Sequence, residues 1–361
     1  MKFNRYALSD LATIKYGKNQ KKVLSESGNI PIYGTGGLMG YATTALYDKP
    51  SVLIGRKGTI GKVKYVEHPF WTVDTLFYTI INTDIVLPKY LYYVMSLIDL
   101  NNYNEGTTIP SLRTETLNRL EFDIPSLVEQ ETILSCLNPI DDKIALNNAI
   151  NNNLEQQAQT IYQQMFVDNA SSDWAEGTLS DIADITMGQS PSGSSYNEDG
   201  NGTIFFQGRA EFGFRFPTVR LYTTEPKRIA CANDTLMSVR APVGDLNVAH
   251  TDCCIGRGLA AIHSKNNHQS FVLYTMLSLK KQLDVFNGEG TVFGSINRNS
   301  LNEMPLLIPS SKKLDEFEAL VAPMDAAIRN NYDEICRLEQ LRDTLLPKLM
   351  SGELDVSNID L

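Results

Sequence analysis

The sequence is poor in the residues that metal and thiol chemistry need. Its four histidines (His68, His250, His263, His268) are scattered, and its five cysteines (Cys136, Cys231, Cys253, Cys254, Cys336) contain no CxxC pair. No zinc pattern is legible, and the thiols read as reduced and structural. There is no run of about 18 uncharged apolar residues, and Met1 to Asp10 lacks the apolar stretch of a signal peptide. These absences predict no membrane span and a cytoplasmic address.

Motifs of catalysis are missing too. A base-modifying methyltransferase needs a glycine-rich donor loop and an Asn/Asp-Pro-Pro-aromatic motif, and the nearest approach, Asn138-Pro139-Ile140-Asp141, reads better as a helix start. Gly34-Thr35-Gly36-Gly37-Leu38-Met39-Gly40 is glycine-rich, but Tyr41-Ala42-Thr43-Thr44 follows and nucleates no helix to meet a phosphate. Gly55-Arg56-Lys57-Gly58-Thr59-Ile60-Gly61-Lys62-Val63 has the wrong glycine spacing for a P-loop, and Val63 stands where a magnesium-binding hydroxyl belongs. An enzyme acting alone, and any bound cofactor, are therefore not expected.

Net positive charge is absent as well. The chain carries −10, whereas nucleic-acid binders usually show a basic footprint. The deficit is local: residues 1–125 sum to +3 and 171–310 to −3, while 126–170 and 311–361 each sum to −5. The last two stretches hold all of the net negative charge, so bulk charge neither supports nor excludes DNA.

What is present is a globular composition, 42% hydrophobic and 20% charged, over 361 residues, a length that favours two domains. The chain is written twice. Leu8-Ser9-Asp10-Leu11-Ala12, with Ile14 and Gly17, returns as Leu179-Ser180-Asp181-Ile182-Ala183 with Ile185 and Gly188, at an offset of 171. Gly106-Thr107, Ser111, Leu117-Asn118 and Ile124-Pro125-Ser126 return as Gly290-Thr291, Ser295, Leu301-Asn302 and Ile308-Pro309-Ser310 at an offset of 184, with eight identities in 21 ungapped positions. Insertions must lie between the two matched blocks.

Each copy ends in a helical tail. Ile133, Leu137, Ile140, Ile144, Asn147, Asn151, Leu154, Ala158, Ile161 and Met165 follow 4-3 spacing, the seam of a coiled coil. The seam recurs at Phe317, Val321, Met324, Ile328, Asn331, Ile335, Leu338, Arg342, Leu345 and Leu349. Asn147 and Asn331 occupy equivalent seam positions, where a buried amide fixes register because only a polar partner satisfies it. Two ordinary amphipathic helices would explain either copy alone, but the shared asparagine favours pairing. Pro139 and Pro323 also correspond and are expected to break each tail into a short and a long helix. The long part, Pro139 to Phe166, spans 28 residues, roughly 42 Å at 1.5 Å per residue.

Before each tail the pattern changes to short β-branched and aromatic runs bounded by glycine. Ser51–Ile54, Val63–Val66 and Leu76–Ile81 read as strands and Leu87–Leu100 as a helix, giving mixed α/β domains with twisted sheets. Their loops offer groups suited to a nucleic-acid groove. In the first half these are Lys18, Lys21, Lys22, Tyr33, Thr35, Tyr41, Arg56, Lys57, Thr59 and Lys62; in the second, Gln189, Ser190, Ser192, Gln207, Arg209, Arg240, Asn247, Arg257 and Arg298. Lysines suit phosphate, arginine reads guanine, and Asn or Gln reads adenine.

These features resemble the specificity subunits of Type I restriction-modification systems. The resemblance rests on Ile30-Pro31-Ile32-Tyr33-Gly34 through Tyr41, on Gly55 to Gly61, on Thr72-Val73-Asp74-Thr75, and on Ile124-Pro125-Ser126 leading to Glu129-Gln130. The most specific string is Leu341-Arg342-Asp343-Thr344-Leu345-Leu346-Pro347-Lys348-Leu349-Met350-Ser351-Gly352-Glu353-Leu354. The second half departs from the pattern, with Val239-Arg240-Ala241-Pro242-Val243-Gly244 in place of the Arg56 loop.

The resemblance implies an α/β (α+β) chain with target-recognition domains at 1–125 and 171–310. They would be separated by spacer helices at 126–170 and 311–361 that form an antiparallel coiled coil through Ile140, Ile144, Asn147, Leu154, Met324, Ile328, Asn331 and Leu338. It further implies a non-catalytic subunit reading a split double-stranded DNA target, docked to two methyltransferase subunits and to restriction and translocase subunits. A scaffold that assembles proteins through its helices and binds no DNA is the alternative.

Overall fold

The structure, a computed structural model, describes residues 1–240, 242–288 and 294–356. Ala241 of the second loop, the Gly290-Thr291 pair of the second repeat copy and residues 357–361 of the tail lie outside the described residues. The chain divides into two units, Met1–Leu146 with Asp333–Leu361, and Asn147–Tyr332.

Unit 1 runs β1 (Asn4–Ala7), α1 (Leu8–Leu11), β2 (Ala12–Tyr16), β3 (Ile30–Gly34), β4 (Gly37–Ala42), β5 (Ser51–Gly55), β6 (Val63–Val66), β7 (Trp71–Thr72), β8 (Leu76–Ile81), α2 (Pro88–Ser96), α3 (Thr114–Asn118) and β9 (Glu121–Ile124). The long helix α4 (Leu127–Tyr162) follows and carries the chain across the unit boundary, continuing as a π-helical turn over Gln163–Asp168. Unit 2 runs β10 (Ala175–Thr178), α5 (Leu179–Ile182), β11 (Ala183–Met187), β12 (Tyr196–Asn197), β13 (Thr203–Phe206), β14 (Leu221–Thr223), β15 (Ile229–Ala230), β16 (Thr235–Val239), β17 (Val243–Val248), β18 (Cys253–Ile255), β19 (Leu259–Ser264), α6 (Gln269–Ser278), α7 (Lys280–Leu283), α8 (Arg298–Asn302) and β20 (Pro305–Ile308). The second long helix, α9 (Ser311–Ser351), returns to unit 1.

The repeat is a repeat of topology. Unit 1 holds an antiparallel sheet ordered β2-β8-β5-β6, and unit 2 holds its counterpart, β11-β19-β16-β17. A second sheet contains a parallel pair in each, β3 with β7 and β13 with β18, extended in unit 2 by β12, β14 and β15. A two-stranded ribbon closes each unit, β1 with β9 and β10 with β20. The repeated Leu-Ser-Asp string has a local cause. The carboxylates of Asp10 and Asp181 accept the backbone N–H of Ala7 (2.9 Å) and Thr178 (2.7 Å), turning the ribbon strand into a one-turn helix. Its leucines, Leu8, Leu11 and Leu179, are wholly buried.

The Ile-Pro-Ser string starts a long helix. Ser126 donates its N–H (2.9 Å) and hydroxyl (2.8 Å) to Glu129, a capping box at the start of α4. The buried Gln130 amide accepts from Leu87 N–H (2.8 Å) and donates to the carbonyls of Ile85 (2.9 Å) and Pro125 (3.0 Å), tying α4 to the entrance of α2. The predicted Leu87–Leu100 helix ends earlier, at Ser96, and a separate 3-10 turn covers Leu100–Tyr103.

Within each unit the stretches of α4 and α9 pack antiparallel. In unit 1 Asp141 meets Arg342 (3.4 Å) and Lys143 meets Glu334 (3.3 Å), while Ile133 and Leu137 share a core with Leu346 and Leu349. In unit 2 Asn151 meets Asn331, and Ala158, Tyr162 and Phe166 share a core with Phe317 and Val321. The seam residues Ile144, Asn147 and Ile328 are buried, Ile140, Leu154, Met324, Asn331 and Leu338 partly so.

Two expectations about these helices are corrected. The prolines do not break them: Pro139 and Pro323 lie inside continuous helices. A proline in a helix interior costs about 3 kcal/mol, but the flanking Ile133, Leu137, Phe317 and Val321 are fully buried, and each such side chain returns about 1.5–3 kcal/mol. The asparagine ladder is also shifted by a turn. Asn331 donates its Nδ2 to Oδ1 of Asn151 (2.9 Å) rather than to Asn147.

The sheet domains are held on the helices by an equivalent pair of aspartates. Asp141 on α4 accepts the hydroxyl of Tyr93 on α2, and Asp325 on α9 accepts that of Tyr274 on α6 (2.9 Å). The compensating cations differ. Lys89 and Arg342 serve Asp141, whereas the buried Arg215 reaches Asp325 (3.1 Å) and Glu155 (3.4 Å) from a sheet-domain loop. Ala158 stands at the repeat position of Arg342 and is too short to supply that charge.

Candidate nucleic-acid interface

In unit 1 four loop ends are drawn together by main-chain hydrogen bonds. Gly17 N–H donates to Leu76 carbonyl (3.0 Å), Lys18 to Thr72 (2.8 Å), Val73 to Tyr33 (3.0 Å) and Arg56 to Thr75 (2.8 Å). The loop before α3 joins them, because Gly58 donates to Pro110 (2.9 Å) and Leu112 to Arg56 (2.9 Å). Gly17 is required: a Cβ there would lie 2.0 Å from the Val73 oxygen.

Unit 2 repeats five of these six bonds, and the counterpart of the Gly58 bond falls on Ala241, outside the described residues. Gly188 donates to Leu259 (2.9 Å), Gln189 to Ile255 (3.0 Å), Gly256 to Phe206 (2.8 Å), Val239 to Gly258 (2.9 Å) and Ile296 to Val239 (3.1 Å). A Cβ on Gly188 would lie 2.1 Å from the Gly256 oxygen. The isolated bridges agree, Lys57 with Ser111 in one unit and Arg240 with Ser295 in the other. Lys18, Lys57 and Asp74 therefore stand where Gln189, Arg240 and Arg257 stand in the second unit.

Of the first-half candidates, the side chains of Lys18, Lys57, Thr59 and Lys62 are exposed and Thr35 is half-buried. Lys21 and Lys22 are exposed in the turn that follows the first loop, and Tyr41 is exposed on β4. None of these lysines has an ion-pair partner among the described residues. Arg56 is half-buried, its Nη1 donating to the Asp74 carbonyl (2.7 Å) and its guanidinium 5.1 Å from the Tyr16 ring centre. Tyr33 is placed otherwise than its sequence context predicts. It is 8% exposed and packed with Leu53, Phe70 and Tyr78, because its β3 position points into the core. Its hydroxyl contacts Nε2 of His68 (3.2 Å), and burial, with the neighbouring Tyr41, raises its phenol above the ordinary value. Lys64 covers the Tyr33 ring at 3.9 Å, and burial lowers its ammonium below the ordinary lysine value.

Of the second-half candidates, Gln189, Ser192, Gln207, Arg209, Arg240 and Arg257 are exposed and Ser190 is half-buried, its hydroxyl accepting the Arg257 N–H (3.2 Å). Arg209 is tied to Asp245, which also meets Lys280 (3.2 Å). Arg298 is exposed at the first position of α8. Asn247 belongs to the core instead: it is 2% exposed on β17, and its Nδ2 donates to the Gly213 carbonyl (2.9 Å), which leaves it no access to a groove. Reading the sequence alone misses Tyr16 and Asp74, which orient Arg56. The one available signal was that Tyr16 directly precedes the repeated glycine.

The sequence profile of the Type I restriction modification DNA specificity domain matches twice, over residues 2–156 and 171–322. The chain belongs to this family. The two matched specificity domains carry the two loop clusters. Among curated relatives, the putative type I restriction enzyme MjaX specificity subunit of Methanocaldococcus jannaschii is 29% identical over 297 residues, covering 76% of this chain and 70% of its own. The MjaIX specificity subunit of the same organism is 26% identical over 352 residues, covering 87% and 80%. The crystal structure of a Type I restriction-modification S subunit from M. genitalium shares the fold, with a TM-score of 0.63 at 17% identity over 97% of this chain and 96% of that one. Among the described residues no helix is long and apolar enough to cross a membrane.

Proposed function

We propose that this chain is the sequence-reading subunit of a Type I restriction-modification complex. Residues 1–125 and 171–310 each read one part of a split, asymmetric double-stranded DNA target. The helical stretches 126–170 and 311–361 space the two readers as a coiled coil and dock two methyltransferase subunits, and restriction and translocase subunits join for cleavage. The chain contributes no catalytic group and no cofactor; the methyl donor and ATP belong to its partners.

One observation carries this reading. A single backbone arrangement of loop ends occurs twice, and the side chains at its equivalent positions differ in charge and hydrogen-bonding type. Identical readers would suit a symmetric target, whereas unlike readers suit an asymmetric one. The family membership and the names of the relatives support the same conclusion.

The test is to express the chain with its methyltransferase partner in a host lacking both and to map methylated adenines by single-molecule sequencing. One new motif with two unlike halves and a fixed unread gap is expected. Replacing residues 171–310 by those of another family member should change one half only. A complex that forms but neither binds nor methylates DNA would overturn the proposal in favour of an assembly scaffold.

A further inference from the structure

We propose that Arg56 reads a guanine in the half-site taken by the first specificity domain, with Tyr16 and the Asp74 backbone as positioning groups. The inference rests on the DNA-reading function proposed above and adds the base and the residue.

Base reading by arginine needs a guanidinium held in one plane, with adjacent N–H groups free to meet the O6 and N7 acceptors of guanine. Arg56 meets both conditions. Its backbone is fixed on either side, the N–H donating to Thr75 (2.8 Å) and the carbonyl accepting from Leu112 (2.9 Å). The chain then turns back so sharply that a Cβ on the preceding Gly55 would lie 2.1 Å from the Thr59 oxygen. The guanidinium is held by the Asp74 carbonyl at 2.7 Å and lies against the Tyr16 ring. Arginine has five N–H donors. One is engaged, by a neutral carbonyl, so both the charge and most donors remain for an outside acceptor.

The neighbouring cations are different in kind. Lys18, Lys57 and Lys62 have no side-chain partner among the described residues, and a freely rotating ammonium suits phosphate better than a base edge. Arg209 is neutralised by Asp245. The second unit has no such reader at the equivalent place, since Val239 takes the position of Arg56 and Met187 that of Tyr16. The guanine requirement should therefore belong to one half of the target only.

The experiment uses the chain in complex with its methyltransferase. Motifs are mapped for the wild type and for R56Q, R56K, Y16F and Y16A. The wild-type motif should contain a guanine whose identity R56Q no longer requires, while the other positions of both halves persist. A bidentate arginine contact discriminates by roughly 5- to 150-fold, so methylation at sites lacking that guanine should rise by such a factor. Y16F, which keeps the ring, should match the wild type, and Y16A should relax the same single position.

Binding of the wild-type complex to duplexes carrying 7-deazaguanine, which lacks N7, gives a readout independent of the variants' folding. On the order of fivefold weakening is expected at one guanine of that half-site. An unchanged guanine requirement in R56Q, or indifference to 7-deazaguanine at every guanine of the half-site, would overturn the proposal. Failure of the wider reading looks different, because the wild type would then produce no motif at all.

Discussion

Replacing Arg215 by methionine tests whether unit 2 depends on a buried charge cluster. The guanidinium is 5% exposed, and its partners Asp325 and Glu155 are 22% and 19% exposed, so truncation leaves two carboxylates facing each other with little water. Removing one partner of a buried ion pair costs about 3–5 kcal/mol, a large share of a typical stability of about 5–15 kcal/mol. The chain has two tryptophans, Trp71 in unit 1 and Trp174 in unit 2, so fluorescence in W71F and W174F backgrounds can follow the two units separately. The Trp174 midpoint should fall by about 6–20 °C, and the Trp71 midpoint should stay in place.

Acidity supplies a second readout. Burial holds the Glu155 carboxyl above its ordinary value of 4.5, against the attraction of Arg215, and Asp325 pushes it the same way as burial. Without Arg215 it must rise further. Because the folded state then binds the proton more tightly than the unfolded one, the ionised form carries the penalty. The deficit of R215M should be full above the raised folded value and should shrink as the pH falls through it towards the ordinary glutamate value. The triple variant R215M/E155Q/D325N, with no charge left behind, should recover more than half of the loss. A deficit below about 1 kcal/mol would refute the argument, since it would mean that water already compensates the carboxylates.

Two further outcomes follow from the same geometry. In the assembled complex, K18A, K21A and K22A should each lower the slope of log K against log salt by about 0.9 if each lysine meets one phosphate, and a slope equal to that of the wild type in a salt titration would put them off the phosphate path. N331L should strand the buried Asn151 amide and cost about 1–3 kcal/mol in urea unfolding, whereas N151L/N331L should cost less than the single change because both polar partners are gone.

Much of the frame was legible because it repeats. The Leu-Ser-Asp and Ile-Pro-Ser strings could be matched across the two halves, and the structure puts both copies of the first at the cap of a one-turn helix and both copies of the second at the start of a long helix. The strands at 51–55, 63–66 and 76–81 follow from β-branched runs bounded by glycine. The seam was legible as well, since its spacing survives in burial. What escaped depends on contacts distant in sequence. The prolines read as breaks because the packing that outweighs them comes from residues on other elements. Asn331 found Asn151 because register is a property of two helices together. Asn247 and Tyr33 read as surface groups by type, yet strand position sent both inward.

The same contrast explains how one frame carries two unlike sets of loop side chains. The bonds that gather the loop ends run from amide to carbonyl in both units, and the glycines at 17 and 188 are kept small by a carbonyl oxygen rather than by a side chain. The frame therefore does not depend on which side chain stands at 18 or 189, at 57 or 240, or at 74 or 257. Those positions can differ in charge and donor type without disturbing the sheet beneath them. Arg56 is the exception, because its guanidinium leans on a neighbouring side chain, the ring of Tyr16, as well as on the Asp74 carbonyl, so a change at position 16 should be felt at position 56.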